Sequence, residues 1–270
     1  MKNHFEMTAW SALVLAADRH ENDPVAVDAG VPCKALAPVA GVPMLQRVLD
    51  AISASDRIRR ITLVGPPRKW LQELPDISRR IDSNSLGWIE PAPSPSASAW
   101  QGLQELPEHQ PVLVTTTDHA LLSTRMIDYF LDHAERSGCD FVVGLARLET
   151  VQAGFPGSRR TATRLRGGPY CGCNLFAVNT PRGRELTAFW RRVEEQRKKP
   201  WRVIVGALGW RAVLSYFAGR LTLEQALERL SQRLGLRLGA VVLPFAEAAV
   251  DVDTPADRQL VERVLAARQG

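Results

Sequence analysis

The sequence predicts an α/β fold with a mostly parallel central sheet, and three observations carry that expectation. Short apolar runs recur without polar alternation, as strands covered on both faces require. Stretches of helical period separate them, at a spacing that supports right-handed βαβ crossovers. With 270 residues, 45% of them apolar, the chain is long enough for one large α/β domain or two small ones.

The elements follow in order. Residues 12–17 (ALVLAA) read as the first central strand, followed by a polar loop. From Pro43 the period turns helical: Met44, Leu45, Val48, Leu49 and Ile52 form one stripe, with Pro43 suited to the first turn. Residues 60–65 and 111–117 are the second and third strands, the latter ending at Asp118. A helix over about 124–137 and a strand over 139–144 come next. Another strand, 175–178, is reached through the glycine-rich GGPYCGCN. Residues 184–234 read as helices, the last opened by Thr222 and Gln225 in a capping-box spacing. A strand at 240–243 and then DVDTPADRQLVERVLAAR, a turn and a helix, end the chain. The expectation is one domain over 1–270 with a helical insertion at approximately 182–239.

Charge and cysteine usage narrow the setting. The formal charge is +5, and the segment 182–202 alone holds eight basic residues against Glu185, Glu194 and Glu195. That segment reads first as a solvated helix face. Cys33, Cys139, Cys171 and Cys173 lack zinc-type spacing and read as reduced thiols in a cytoplasmic protein. The apolar stretch at 9–17, flanked by Glu6 and Asp18, makes no convincing signal peptide. No run reaches the ~18 to 20 apolar residues of a membrane span.

Two residues stand out by position. In parallel sheets ligands sit outside the carboxyl ends of the strands, where Asp118 is placed; a turn or helix cap is the alternative. Lys34 is the one charge in VPCKALAPVAGVPML, read either as a snorkelling surface lysine or as a site residue.

The segments LVLAADR, CKALAPVAGVPMLQRVLDAI, Ser94-Pro-Ser-Ala-Ser98, VLVTTTDHALL, GGPYCGCNLF and DVDTPAD occur in a familiar order. In that order they resemble the MobA-like nucleotidyltransferases, of the sugar-phosphate and phospho-alcohol type. The resemblance implies a Rossmann-like, three-layer nucleotidyltransferase fold of the GT-A-like kind. It also implies a Mg²⁺-dependent transfer of a nucleoside monophosphate from an NTP to a small phosphorylated acceptor, a sugar phosphate or a phosphorylated polyol or hydroxy acid, with release of pyrophosphate.

Residue by residue, the resemblance assigns Lys34 to the α-phosphate and Arg19 to the β- and γ-phosphates. Leu15, Ala16 and Ala17 fall in the nucleotide loop, and Ser94, Ser96 and Ser98 fall beside the base. Asp118 with Asp251 or Asp253 falls to the metal; Asp251 is favoured, with Asp253 supporting it or capping the last helix. Tyr170 and Asn174 fall on the acceptor side. Where relatives carry glycine after LAA, this chain has Asp18, whose carboxylate repels phosphate unless it points away.

The insertion, with Trp190, Trp201, Trp210, Tyr216 and Phe217, reads first as packing. An in-plane membrane contact and a cationic pocket for the acceptor are the other readings; nucleic acid is not expected. Two rivals to the transferase reading are a GT-A-type glycosyltransferase using a nucleotide-sugar and a degenerate nucleotide-binding regulator.

Overall fold

A computed structural model of the chain describes residues 8–18, 22–158, 160–195 and 218–268. β1 (Trp10–Leu15) leads through α1 (Pro24–Ala29) to a small hairpin, β2 (Pro38–Val39) and β3 (Val42–Pro43), and then to α2 (Met44–Ser53). β4 (Ile58–Val64), α3 (Arg68–Leu71), α4 (Pro75–Asp82), β5 (Gly87–Ile89), α5 (Pro95–Gln104) and β6 (Val112–Thr116) follow. Next come α6 (Thr124–Arg136), β7 (Phe141–Arg147), α7 (Leu148–Gly154), β8 (Thr163–Leu165) and β9 (Gly168–Val178). α8 (Glu185–Glu195), α9 (Leu223–Leu234), β10 (Leu238–Leu243) and α10 (Pro255–Ala267) complete the described elements.

One sheet takes the order β10-β7-β9-β6-β1-β4-β5, with β8 on β9. β1, β4, β5 and β6 pair in parallel, as do β7 and β10, while β9 runs antiparallel between β6 and β7. The alternation of β1 explains the layers. Ala12 and Val14 point into a cluster with Leu45, Val48 and Phe130 from α2 and α6. Leu13 and Leu15 point the other way, onto Ala99 and Leu103 of α5. Every β1 residue is buried, so no polar alternation was available to that strand.

Differences from the sequence reading have local causes. Pro43 stands before α2, not in its first turn, because β2 and β3 turn through Ala40 (φ 48°) and Gly41 (φ 77°) and Pro43 closes that hairpin. The loop after β1 contains α1, capped by Asp23, which accepts from the N–H groups of Val25 and Ala26. β5 has three residues, too few for a period to register. β9 begins at Gly168, so the glycine-rich stretch is strand. β10 begins at Leu238, inside the block assigned to the insertion. Thr222 and Gln225 do form the capping box of α9. No described helix is long and apolar enough to cross a membrane.

Candidate active site

The carboxyl ends of β1 and β6 meet around a polar cavity of about 130 Å³ whose lining includes Ala17, Asp18, Lys34, Thr116, Asp118 and Asp253. Lys34 opens a 3-10 turn, Lys34–Leu36, and projects inward with its side chain 13% exposed. Its Nζ donates to Asp118 Oδ2 at 3.0 Å and to Asp253 Oδ1 at 2.7 Å. Burial works against the ammonium, but the two carboxylates outweigh it and hold its pKa above the ordinary value. An ammonium has three N–H groups. Two acids therefore leave one for a further anion.

Asp118 follows β6 directly. Burial opposes its ionisation; the Lys34 ammonium and the Thr116 hydroxyl outweigh it and keep the carboxyl below the usual range. Asn174 Nδ2 reaches Asp118 Oδ1 at 3.4 Å from a β9 residue held at φ 49°. The backbone N–H of Val252 donates to the Asp118 carbonyl at 2.9 Å, which brings the DVDTP segment to the end of β6.

The two aspartates of that segment then separate. Asp253 is 69% exposed and turns to Lys34. Asp251 keeps a buried Oδ1 without a hydrogen-bond partner, and burial, then the charges of Asp118 and Asp253, push its pKa up to about 8. Asp253 does not cap α10. That role belongs to Thr254, whose hydroxyl accepts from the Asp257 N–H in a reciprocal capping box. Arg160, unnoticed in the sequence, donates to the Asp251 carbonyl at 3.0 Å and pairs with Asp257 at 3.0 Å, steadying the segment.

Asp18 lines the same cavity as Lys34, with its carboxylate engaged by the backbone. Both of its carboxylate oxygens accept from the backbone N–H of Lys34, at 3.1 and 3.0 Å. Burial raises its pKa against the pull of that N–H. The carboxylate thus ties the end of β1 to the turn that carries Lys34.

The remaining predicted residues divide. Leu15 and Ala17 line the cavity, whereas Ala16 is 2% exposed and lies in the core. Ser94 caps α5. Ser96 and Ser98 are buried at 0% and 1%, so neither presents its hydroxyl to a cavity; Ser98 bonds instead to the Ala92 backbone. Tyr170 is not beside Asp118: it lies four residues along β9 from Asn174, about 13 Å of strand, under the guanidinium of Arg147. Arg19 lies outside the described residues, as do Trp201, Trp210, Tyr216 and Phe217. Thr116 and Thr117 were missed. Thr116 was readable, since a strand residue two before Asp118 shares its face.

A second, apolar cavity of about 450 Å³ lies between the sheet and α8 and α9, with no titratable side chain among its described lining. Trp190 packs there against Phe176, with ring centroids 5.8 Å apart. The described part of the basic block follows the packing reading.

Comparison with known proteins gives the same direction. The MobA-like NTP transferase domain matches residues 12–199. The 2-C-methyl-D-erythritol 4-phosphate cytidylyltransferase of Prochlorococcus marinus (strain MIT 9313) is 26% identical over 238 residues, covering 87% of this chain and 91% of that one. A hypothetical transferase from Thermus thermophilus superposes with a TM-score of 0.77 at 29% identity, covering 93% of this chain and 100% of the other. The 4-diphosphocytidyl-2C-methyl-D-erythritol synthase of Anaerococcus prevotii DSM 20548 shares the fold, with a TM-score of 0.57, 12% identity and 96% of each chain covered.

Proposed function

The chain belongs to the MobA-like NTP transferase family and is a nucleotidyltransferase; on that premise we propose that it joins a nucleoside monophosphate, taken from an NTP, to a small phosphorylated acceptor. The observation that carries this reading is the Lys34 ammonium, largely shielded at the strand ends between Asp118 and Asp253. A phosphate oxygen of the acceptor attacks the α-phosphorus; the bond to the bridging oxygen breaks, and pyrophosphate leaves with the electron pair. Such transfer depends on positioning and charge neutralisation more than on covalent help. Lys34 gives its remaining N–H to an α-phosphate oxygen. Arg19 takes the β- and γ-phosphates, and the acceptor approaches from Asn174 towards Tyr170. One transferase domain over the whole chain is part of this reading; membrane contact is not.

Magnesium fits the acids present. With an NTP it needs only one or two protein carboxylates, and the unpartnered Oδ1 of Asp251 beside Asp118 supplies a second. No three acids, cysteines or histidines among the described residues group as a closed metal site. When bound, the ion draws charge from the phosphate oxygens. Asp118 and Asp251 would hold it, with Asp253 keeping Lys34 in place.

Thermal unfolding in ATP, CTP, GTP and UTP, with and without Mg²⁺, tests this without a known acceptor. A ligand at ~100 times its Kd adds roughly 2.7 kcal/mol, several degrees for a chain of this size. The expected result is a metal-dependent shift that Asp118→Ala abolishes. A shift with none of the four, or one unchanged in the variant, overturns the reading.

A further inference from the structure

The side-chain hydrogen bonds to Asp118 divide unevenly between its two oxygens. Among the described residues, Oδ2 accepts from the Lys34 ammonium, at 3.0 Å. Oδ1 accepts both the Thr116 hydroxyl and the Asn174 amide, the latter at 3.4 Å. A carboxylate oxygen has about two lone-pair directions. Oδ1 is therefore filled by protein donors, and Oδ2 keeps one direction open.

The backbone delivers both donors to the same oxygen. Of the three successive threonines before Asp118, strand alternation leaves Thr116 on the face of the carboxylate, while Thr115 is wholly buried. Asn174 needs a larger departure from regular strand. The ladder between β6 and β9 ends at the Thr115–Leu175 pair, one residue short of it. On the other side, from the pair Val143–Phe176 to the pair Leu145–Gly172, β9 covers four residues to two of β7. The surplus is a bulge, a device that re-aims a side chain. Asn174 stands in it at φ 49°, a conformation asparagine adopts more readily than most residues.

We propose that Thr116 and Asn174 are positioning residues that confine Asp118 to a single metal-binding oxygen, Oδ2, and so favour Mg²⁺ over Ca²⁺. The inference rests on the transferase reading and its metal, and adds the origin of cation choice. Mg²⁺ demands near-ideal octahedral geometry, which the narrow bite of a carboxylate bound through both oxygens distorts; Ca²⁺ takes more oxygens and readily holds a carboxylate by both. With Oδ1 already occupied, Asp118 has no second oxygen for the larger ion. Hydrogen-bonding partners of a ligating carboxylate orient it in this way and tune the affinity of the site.

Calorimetry on the NTP that gives the largest thermal shift, titrated once as its Mg²⁺ complex and once as its Ca²⁺ complex, tests the inference without an acceptor or turnover. In Thr116→Val, which keeps the shape and strand preference of threonine, the Mg²⁺ complex is expected to bind about tenfold more weakly. The Ca²⁺ complex should lose less, so the ratio of the two affinities falls. Thr116→Ser, which returns the hydroxyl, should restore the ratio. Asn174→Gly, whose glycine suits the positive φ, should lower it as Thr116→Val does. A merely structural role would weaken both complexes alike, and a ratio unchanged in both variants overturns the inference while leaving the transferase reading standing. A ratio that falls in only one removes the other residue from the role, and where one variant does not fold the other decides. Nucleotide binding that neither metal affects overturns both readings.

Discussion

At each end of the sheet an aspartate at least partly withdrawn from water meets a cation, and only one of the two meetings is complete. Asp140, just before β7, is 2% exposed and accepts from Arg237 N at 2.8 Å, Arg237 Nη2 at 3.2 Å and Thr180 Oγ1 at 2.9 Å. Its cation faces water, 68% exposed. At the carboxyl end the cation itself is largely shielded, 13% exposed, and shared between Asp118 and Asp253, while Asp251 retains an oxygen without a donor. Burial of charge is common to both ends. Unfinished pairing is not, and the unfinished end is where the proposed phosphate and metal would be held.

The largest effect expected from breaking this contrast is on turnover. Lys34→Met should lower pyrophosphate release about 10²- to 10³-fold, with the circular dichroism of the folded chain retained. A loss below tenfold would remove Lys34 from the chemistry. At the closed end the effect should move to stability. Asp140→Ala removes the acceptor of the Arg237 backbone N–H and of the Thr180 hydroxyl and should cost about 1–2 kcal/mol in urea unfolding. Its kinetic constants at a permissive temperature should stay within about twofold; a large kinetic loss there would erase the distinction between the ends.

Acidity separates the ends further. The pKa of Asp251, raised from 3.8 to about 8, means that the folded metal-free chain binds a proton the unfolded chain has released between those values. This contribution is therefore full below about pH 4 and is lost as the pH climbs through about 8. Asp251→Asn should flatten that decline and be the more stable form at pH 8, read from urea midpoints at pH 5 and pH 8. Parallel profiles for the two proteins would contradict it. The smallest effect belongs to the cap beside Asp253: Thr254→Ala should cost about 1 kcal/mol, seen as a lower Tm, with only a modest rise in KM for the NTP.

Legibility in the sequence followed the same division. β1, β4 and β6 were readable within two residues because each has a buried, largely apolar stretch, all of β1, Ile61–Val64 of β4 and Val112–Val114 of β6. Asp118 was visible as an acid ending such a run. β9 was half hidden, since Gly167, Gly168 and Gly172 read as a turn, and its antiparallel direction depends on pairing with β6 and β7 that local pattern does not encode. The grip of Asp18 on the Lys34 N–H was also beyond the sequence. A carboxylate after the first strand announces its charge, but the turn of backbone it will face is set sixteen residues later. Ser96 and Ser98 show the converse, hydroxyls matched by motif that packing turns inward.

The ion pair of Lys34 with Asp253 spans 219 residues of chain. During synthesis, at roughly 5–20 residues per second, the lysine is made tens of seconds before its distal partner. A nascent chain at that stage holds β1 and the Lys34 turn without the last acid that fixes the ammonium. Competence for transfer thus arrives late, and a ribosome-bound chain stalled before residue 253 should be inactive however well its earlier strands have paired.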